Sequence, residues 1–202
     1  MLPGFSSYAA RYSHTTIWRV AATALRATLR QTEEVRSGLE SLAHNDFADI
    51  PRDLLYVFSM SRLCDVVSFL GDGRRAKILY DLVLPYADRC AVSGNNVACL
   101  GSVSRPLGLL ATLLCRYEDA AKHFDRALEV NARIRARIWV AHTQHDYARM
   151  LVARAAPGDR EKATILAAQA LATAREVGMK PLEAKLVDFQ VTTGLELRPE
   201  VV

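Results

Sequence analysis

The sequence predicts an all-α chain built of antiparallel helical hairpins stacked on one another. Helical periodicity runs almost from end to end, with apolar residues recurring three and four positions apart. Ala, Leu and Arg are abundant, while Gly and Pro number only 10 and 7 in 202 residues, a balance that favours helix. A short apolar pattern also recurs four times at near-constant spacing. No stretch alternates Val, Ile and Thr between turn pairs, so strands are not expected.

The elements follow from punctuation in the sequence. Thr15 and Thr16 cap a first helix running to about Arg30, and Thr32 caps a second that ends near His44. Pro51 suits the first turn of a third helix, where its missing N–H costs nothing, and that helix ends at Gly71. Asp72 caps the fourth, and Gly94-Asn95-Asn96 reads as a loop. A fifth helix is expected from about Leu100 to Cys115, a sixth from Tyr117 to Ala132 and a seventh from Ala136 to Arg154. Pro106 falls inside the fifth. It either kinks that helix or marks its start, with Ser104 as cap. Pro157-Gly158-Asp159 breaks the chain and Asp159 caps an eighth helix, which Gly178 closes. Pro181 opens a ninth, ending near Thr193. The boundaries are therefore an N-terminal extension over 1–14, a helical repeat domain over 15–193 and a flexible tail over 194–202.

The repeat is anchored at Val35, Ala76, Ala120 and Ala163, each followed by apolar or small residues four and seven positions on: Leu39 and Leu42, Tyr80 and Val83, Phe124 and Ala127, Ala167 and Ala170. A small or branched first residue lets the second helix of a hairpin approach the first, and the residue a turn later fills the gap to the next repeat. A generic helical bundle with a coincidental period is the alternative. Hairpins with two apolar faces have to stack to bury both.

At the third repeat the residues resemble the tetratricopeptide (TPR) consensus. Leu107-Gly108 stands where that motif has its Leu-Gly pair, and Tyr117, Ala120, Phe124 and Ala127 follow at its spacings. The period exceeds the usual length of about 34 residues. The stretches from Leu79 to Leu114 and from Trp139 to Ala163 are similar to the C-terminal arrays of bacterial AAA/STAND-type signalling ATPases, some linked to nucleotide cyclases and others to LuxR-type regulators. The resemblance covers roughly residues 16–192. It implies a TPR-like right-handed solenoid of about four repeats plus a closing helix. It does not carry over ATPase, cyclase or DNA-binding activity, because the P-loop, cyclase and helix-turn-helix segments are missing from this sequence.

The expected function is therefore non-catalytic: a protein- or effector-binding module of a bacterial signalling system, free-standing or the remnant of a longer machine. The alternative is a component of a transcription regulator acting with a separate ATPase or DNA-binding partner. The repeat register points Ser61, Asp65, Arg105, His142, His145 and Arg149 into the groove lined by the first helix of each hairpin. The ligand would be a protein or peptide partner or a small effector, and uncapped end faces would favour self-association. The net charge of +4 gives little support for direct nucleic-acid binding. No cofactor is expected.

Other candidates have simpler readings. His142 and His145 share a helix face beside Asp146, yet a zinc site needs a third ligand, so they read as structural or groove-lining. Arg133, Arg135 and Arg137 flank a link and read as a solvated connection, with a phosphate or acidic peptide as the alternative. Arg74, Arg75 and Lys77 read as a solvated face. Glu33-Glu34 and Glu118-Asp119 sit in first turns, where negative charge suits the helix dipole. Cys64, Cys90, Cys99 and Cys115 form no CxxC pair and read as buried small hydrophobes of a reducing cytoplasm. The apolar run from Pro106 to Cys115 is too short to span a bilayer, so a soluble cytoplasmic protein is expected.

Overall fold

The computed structural model describes residues 15–94 and 98–196. The expected N-terminal extension, Asn95 and Asn96 of the expected loop, and the tail beyond Glu196 lie outside the described residues. The chain is mostly helical. Among the described residues the order is α1 (Thr16–Thr28), α2 (Thr32–Leu42), α3 (Tyr56–Leu70), α4 (Gly73–Val83), a 3-10 turn (Leu84–Tyr86), β1 (Cys90–Ser93), β2 (Ala98–Ser102), α5 (Ser104–Leu113), α6 (Tyr117–Arg133), α7 (Arg137–Arg154), α8 (Asp159–Glu176) and α9 (Lys180–Thr193). They form two compact units, divided between Cys115 and Arg116.

In the first unit α3 is the hub. It packs against α1, α2, α4, α5 and β1, so it is apolar nearly all round; Met60, Leu63, Cys64, Val66 and Val67 are at most 1% exposed. Gly38 explains how α2 comes so close to α1. A Cβ there would stand 2.5 Å from the Thr23 hydroxyl oxygen, so the glycine is kept in mid-helix despite its poor propensity. Arg19 of α1 also donates to the Ser41 carbonyl and hydroxyl at 3.0 and 2.6 Å.

The antiparallel pair β1–β2 corrects the expectation of no strands. Its register sets Cys90 opposite Ser102 and Val92 opposite Cys99, with an irregularity between them. Pro85 stands in the first turn of the 3-10 segment and brings no N–H to a continuing helix. Gly101, at φ 72°, bars α5 from starting at Leu100. That helix begins at Ser104 instead, so Pro106 lies in its first turn and produces no mid-helix kink. Ser104 is not the cap: its hydroxyl donates to the Ala87 carbonyl at 2.9 Å, while the Ser102 hydroxyl accepts the Ser104 N–H.

Other boundaries shift too. Pro51 precedes α3 by several residues; Asp53 shapes that turn by accepting the Leu55 N–H at 2.8 Å. Neither Thr15 nor Thr32 makes a side-chain cap: Thr15 is the N-cap of α1 without such a bond, and Thr32 already lies inside α2. Asp72 does cap α4, accepting the Arg75 N–H. Asp159 is the first residue of α8 rather than its cap, and its carboxylate turns back to the Ala156 N–H. Of the cysteines only Cys64 is buried; Cys90 is half-buried and Cys99 and Cys115 are exposed, because the latter two lie on the hairpin and at a helix end.

In the second unit α7 and α8 pack along their lengths, flanked by α6 and α9. Phe124 and Tyr147 stack at 5.3 Å. Lys162 donates to the Tyr147 hydroxyl at 2.7 Å, and that hydroxyl donates to Asp125 at 3.3 Å. Buried Asn131 and Thr143 join α6 to α7. Arg154 binds both Asp159 oxygens at 2.7 and 2.9 Å and reaches Glu118. At the C-terminal end Arg160 donates to the Thr193 and Gly194 carbonyls, and Leu195 is buried, so the stretch read as a flexible tail is held at its start.

Two features repeat. All twelve pattern positions, from Val35 to Ala170, are at most 4% exposed. The links at Arg30-Gln31, Gly71-Asp72, Arg135-Ala136 and Gly178-Met179 share one geometry. The first residue of each takes a left-handed φ. The N–H of the second returns to a carbonyl five residues back, at 3.1, 3.2, 2.8 and 2.7 Å, which is the Schellman closure of a helix.

Candidate functional site

In the first unit, the expected residues Ser61, Asp65 and Arg105 come together. Ser61 and Asp65 lie one turn apart on α3, which puts them on one stripe. Arg105, in the first turn of α5, reaches across to Asp65 Oδ1 at 3.0 Å. Arg62 takes the other carboxylate oxygen at 3.2 Å. The Asp65, Arg62 and Arg105 side chains keep 24%, 34% and 11% of their surface exposed. Asp65 is thus clamped from two helices yet open along one edge. Ser61 is buried, and its hydroxyl has no hydrogen-bond partner among the described residues, an arrangement that costs about 1–3 kcal/mol. Burial, and then the neighbouring Asp65 charge, push the Cys64 thiol well above its ordinary value, which leaves it a poor nucleophile at neutral pH.

In the second unit, His142, His145 and Arg149 share α7 but not a common environment. His145 is buried; its Nδ1 lies 3.0 Å from Asp146 Oδ1, and its ring meets Phe189 of α9 edge-on at 6.2 Å. It is an interior residue between α7 and α9. His142 is half-buried and packs on Trp139 at 5.2 Å, while Arg149 is exposed. Trp139, His142 and Arg149 therefore form the accessible stripe of this helix. Gln144 is tied to Gln169 of α8 at 2.8 Å. No group of three His, Cys, Asp or Glu able to hold a metal occurs among the described residues.

Arg62, Trp139, Gln144, Gln169 and Phe189 are participants that sequence reasoning missed. The i,i+3 spacings of Arg62 to Asp65 and of Trp139 to His142 were legible signals. The pairing of His145 with Phe189 crosses two helices and had none.

Several of the remaining charged groups are paired. Arg75 caps back to Asp72 at 2.9 Å, and Arg74 and Lys77 meet Asp46 and Asp81 at 3.5 Å on the surface. The Arg154 hydrogen bonds hold the Asp159 carboxyl below its usual range. Burial raises the Tyr147 hydroxyl, so it stays protonated and donates to Asp125. Hydrogen bonds from Lys180 and Arg175 lower Glu183, and one from Arg137 lowers Glu176. No protein-family model, curated protein or solved structure matches this chain.

Proposed function

We propose that the chain is a non-catalytic binding module of a signalling system, its hairpins stacked as a TPR-like right-handed solenoid, and that it recognises a protein segment or a small effector. What supports this reading is a contrast between the two helices of the hairpins. The second helices carry the repeat pattern and bury every position of it. The first helices α3 and α7 instead present Arg62, Asp65, His142 and Arg149 half-buried or exposed. Polar groups on packed helices suit recognition, and Arg62, Asp65 and His142 are already held in place by the Arg105 ion pair and by Trp139 before a ligand arrives.

The test pairs affinity capture with a thermal-shift screen against nucleotides and amino acids. Purified wild-type chain is compared with Arg149→Glu and with Asp65→Asn. The expected result is a partner or effector whose binding weakens about tenfold or more in one of the variants. A wild-type chain that binds nothing, or variants that bind as the wild type does, would remove the support for the reading.

A further inference from the structure

We infer that one end of the second unit is a docking surface for an acidic, aliphatic-bearing segment of a partner protein. The links α6–α7 and α8–α9 lie at this end, brought together by the ion pair between Arg137 and Glu176. Five cations gather there: Arg133, Arg135, Arg137, Arg175 and Lys180. Two carboxylates answer them. Glu176 takes Arg137, and Glu183 takes both Arg175 and Lys180 at 3.2 and 3.0 Å. Arg133 and Arg135 are exposed and have no ion-pair partner among the described residues.

Aliphatic side chains are set among these charges. Ile134, Ile138 and Val177 are 44%, 50% and 40% exposed. Isolated surface aliphatics need no explanation, but a set of three within one basic patch does. The helices account for only part of the charge: Arg133 and Arg175 lie in the last turns of α6 and α8, where the dipole favours cations. Arg137 and Lys180 are the first residues of α7 and α9, where the helix dipole disfavours cations. The α7 first turn also lacks an acidic residue, as do those of α1, α3, α4 and α5, whereas the other helices of the second unit, α6, α8 and α9, each carry at least one.

The occupant follows from charge complementarity. Free guanidinium forks match carboxylates in paired hydrogen bonds, and branched aliphatics between them match Leu or Ile of the incoming chain. Glu176 and Glu183 repel any anionic partner alike. What favours an acidic protein segment is the set of Ile134, Ile138 and Val177, for which nucleic acid offers no counterpart. The two cations without an ion-pair partner among the described residues are also fewer than the clusters of roughly four to eight that anionic membranes recruit. This surface uses none of Asp65, His142 or Arg149, although Ile138 lies one turn before His142 on α7, and substitutions at Arg133 and Arg135 separate the two readings.

The test measures fluorescence anisotropy of a labelled peptide of about 14 residues alternating pairs of Glu and Leu, alongside its Gln-for-Glu counterpart. Tighter binding of the acidic peptide by about tenfold or more is expected, weakening from roughly 50 to 300 mM salt as screening grows. Arg133→Glu with Arg135→Asn should remove most of that binding. Ile134→Ser with Ile138→Ser should weaken it about fivefold. Both pairs are surface changes, and circular dichroism would verify that the helices persist. Arg149→Glu should leave this binding intact. Equal binding of the two peptides, no binding of either, or insensitivity to both variant pairs would overturn the inference. So would variant-sensitive retention on phosphatidylserine vesicles or on duplex DNA without peptide binding.

Discussion

The two units reach a packed helical core by different routes. The first is organised around α3, a helix apolar over most of its surface, and two of its connections are long and irregular: the stretch with buried Phe47 and Ile50 before α3, and the β1–β2 hairpin before α5. The second uses short links and spans its helices with polar clamps, at Asp125–Tyr147–Lys162, at Glu118–Arg154–Asp159 and at Asn131–Thr143. An all-round apolar helix gives strong burial and little register information, because Leu and Val contacts are non-directional. Directional clamps add little net energy but specify one arrangement of neighbouring helices. The expected consequence is that changes of volume cost most in either unit, while loss of a clamp group adds a smaller, specific cost in the second.

The largest expected effect, and the one that sharpens this contrast most, is a volume change in the second unit. Tyr147→Ala removes a buried ring stacked on Phe124 and should cost about 4 kcal/mol in urea unfolding. Tyr147→Phe keeps the ring and removes the hydroxyl that joins Lys162 to Asp125, costing about 1 kcal/mol. A loss as large for Phe as for Ala would mean that the clamp, rather than the packing, dominates.

Asp159→Asn should cost about 2 kcal/mol, less than a fully buried pair because 22% of the Arg154 side chain is open to water. Its carboxyl is depressed in the folded state, so its contribution is present above the unfolded value of about 3.9 and is lost as pH falls through the folded value. Denaturation series at falling pH should therefore bring wild type and variant together in acid. A gap that stays constant from neutral to strongly acidic pH would contradict the clamp.

In the first unit Gly38→Ala should destabilise by about 1–2 kcal/mol, although alanine favours a helix. The cause is the 2.5 Å approach of the new methyl to Thr23. Thr23→Ala should relieve it, so the double-mutant cycle reads out a favourable coupling. Additive losses would show that close packing is not the reason for the glycine.

The smallest effect concerns the shared link. Arg135 takes a left-handed φ of 56° where Gly178 does the same at 73°. Arg135→Gly should raise stability by about 0.5–1 kcal/mol, and Gly178→Ala should lower it by a similar amount. Thermal melts in which neither moved would mean that the links are not strained.

The repeat positions were legible because burial repeats with a period that local sequence carries. Val35, Ala76, Ala120 and Ala163 needed only a count along the chain. The hairpin at Cys90 and Ala98 was illegible. Its strands are short, hold a single β-branched residue between them and pair through backbone groups, which leave no side-chain signature. The starts of α3 and α5 were displaced for a related reason: Pro51 and Leu100 are compatible with helix locally, and only the turn at Asp53 and the positive φ at Gly101 exclude it.

The candidate residues divide along the same line. Sequence alone determined that Ser61 and Asp65 share a stripe of one helix, and that His142, His145 and Arg149 share another helix, since spacing within a helix fixes direction. Tertiary structure alone decided that Arg105 of α5 reaches Asp65, that Phe189 of α9 buries His145 and that Arg149 stays exposed. Which side chains from distant segments meet depends on how helices pack. Packing is settled by the summed fit of many weak contacts, and no short stretch of sequence records that sum.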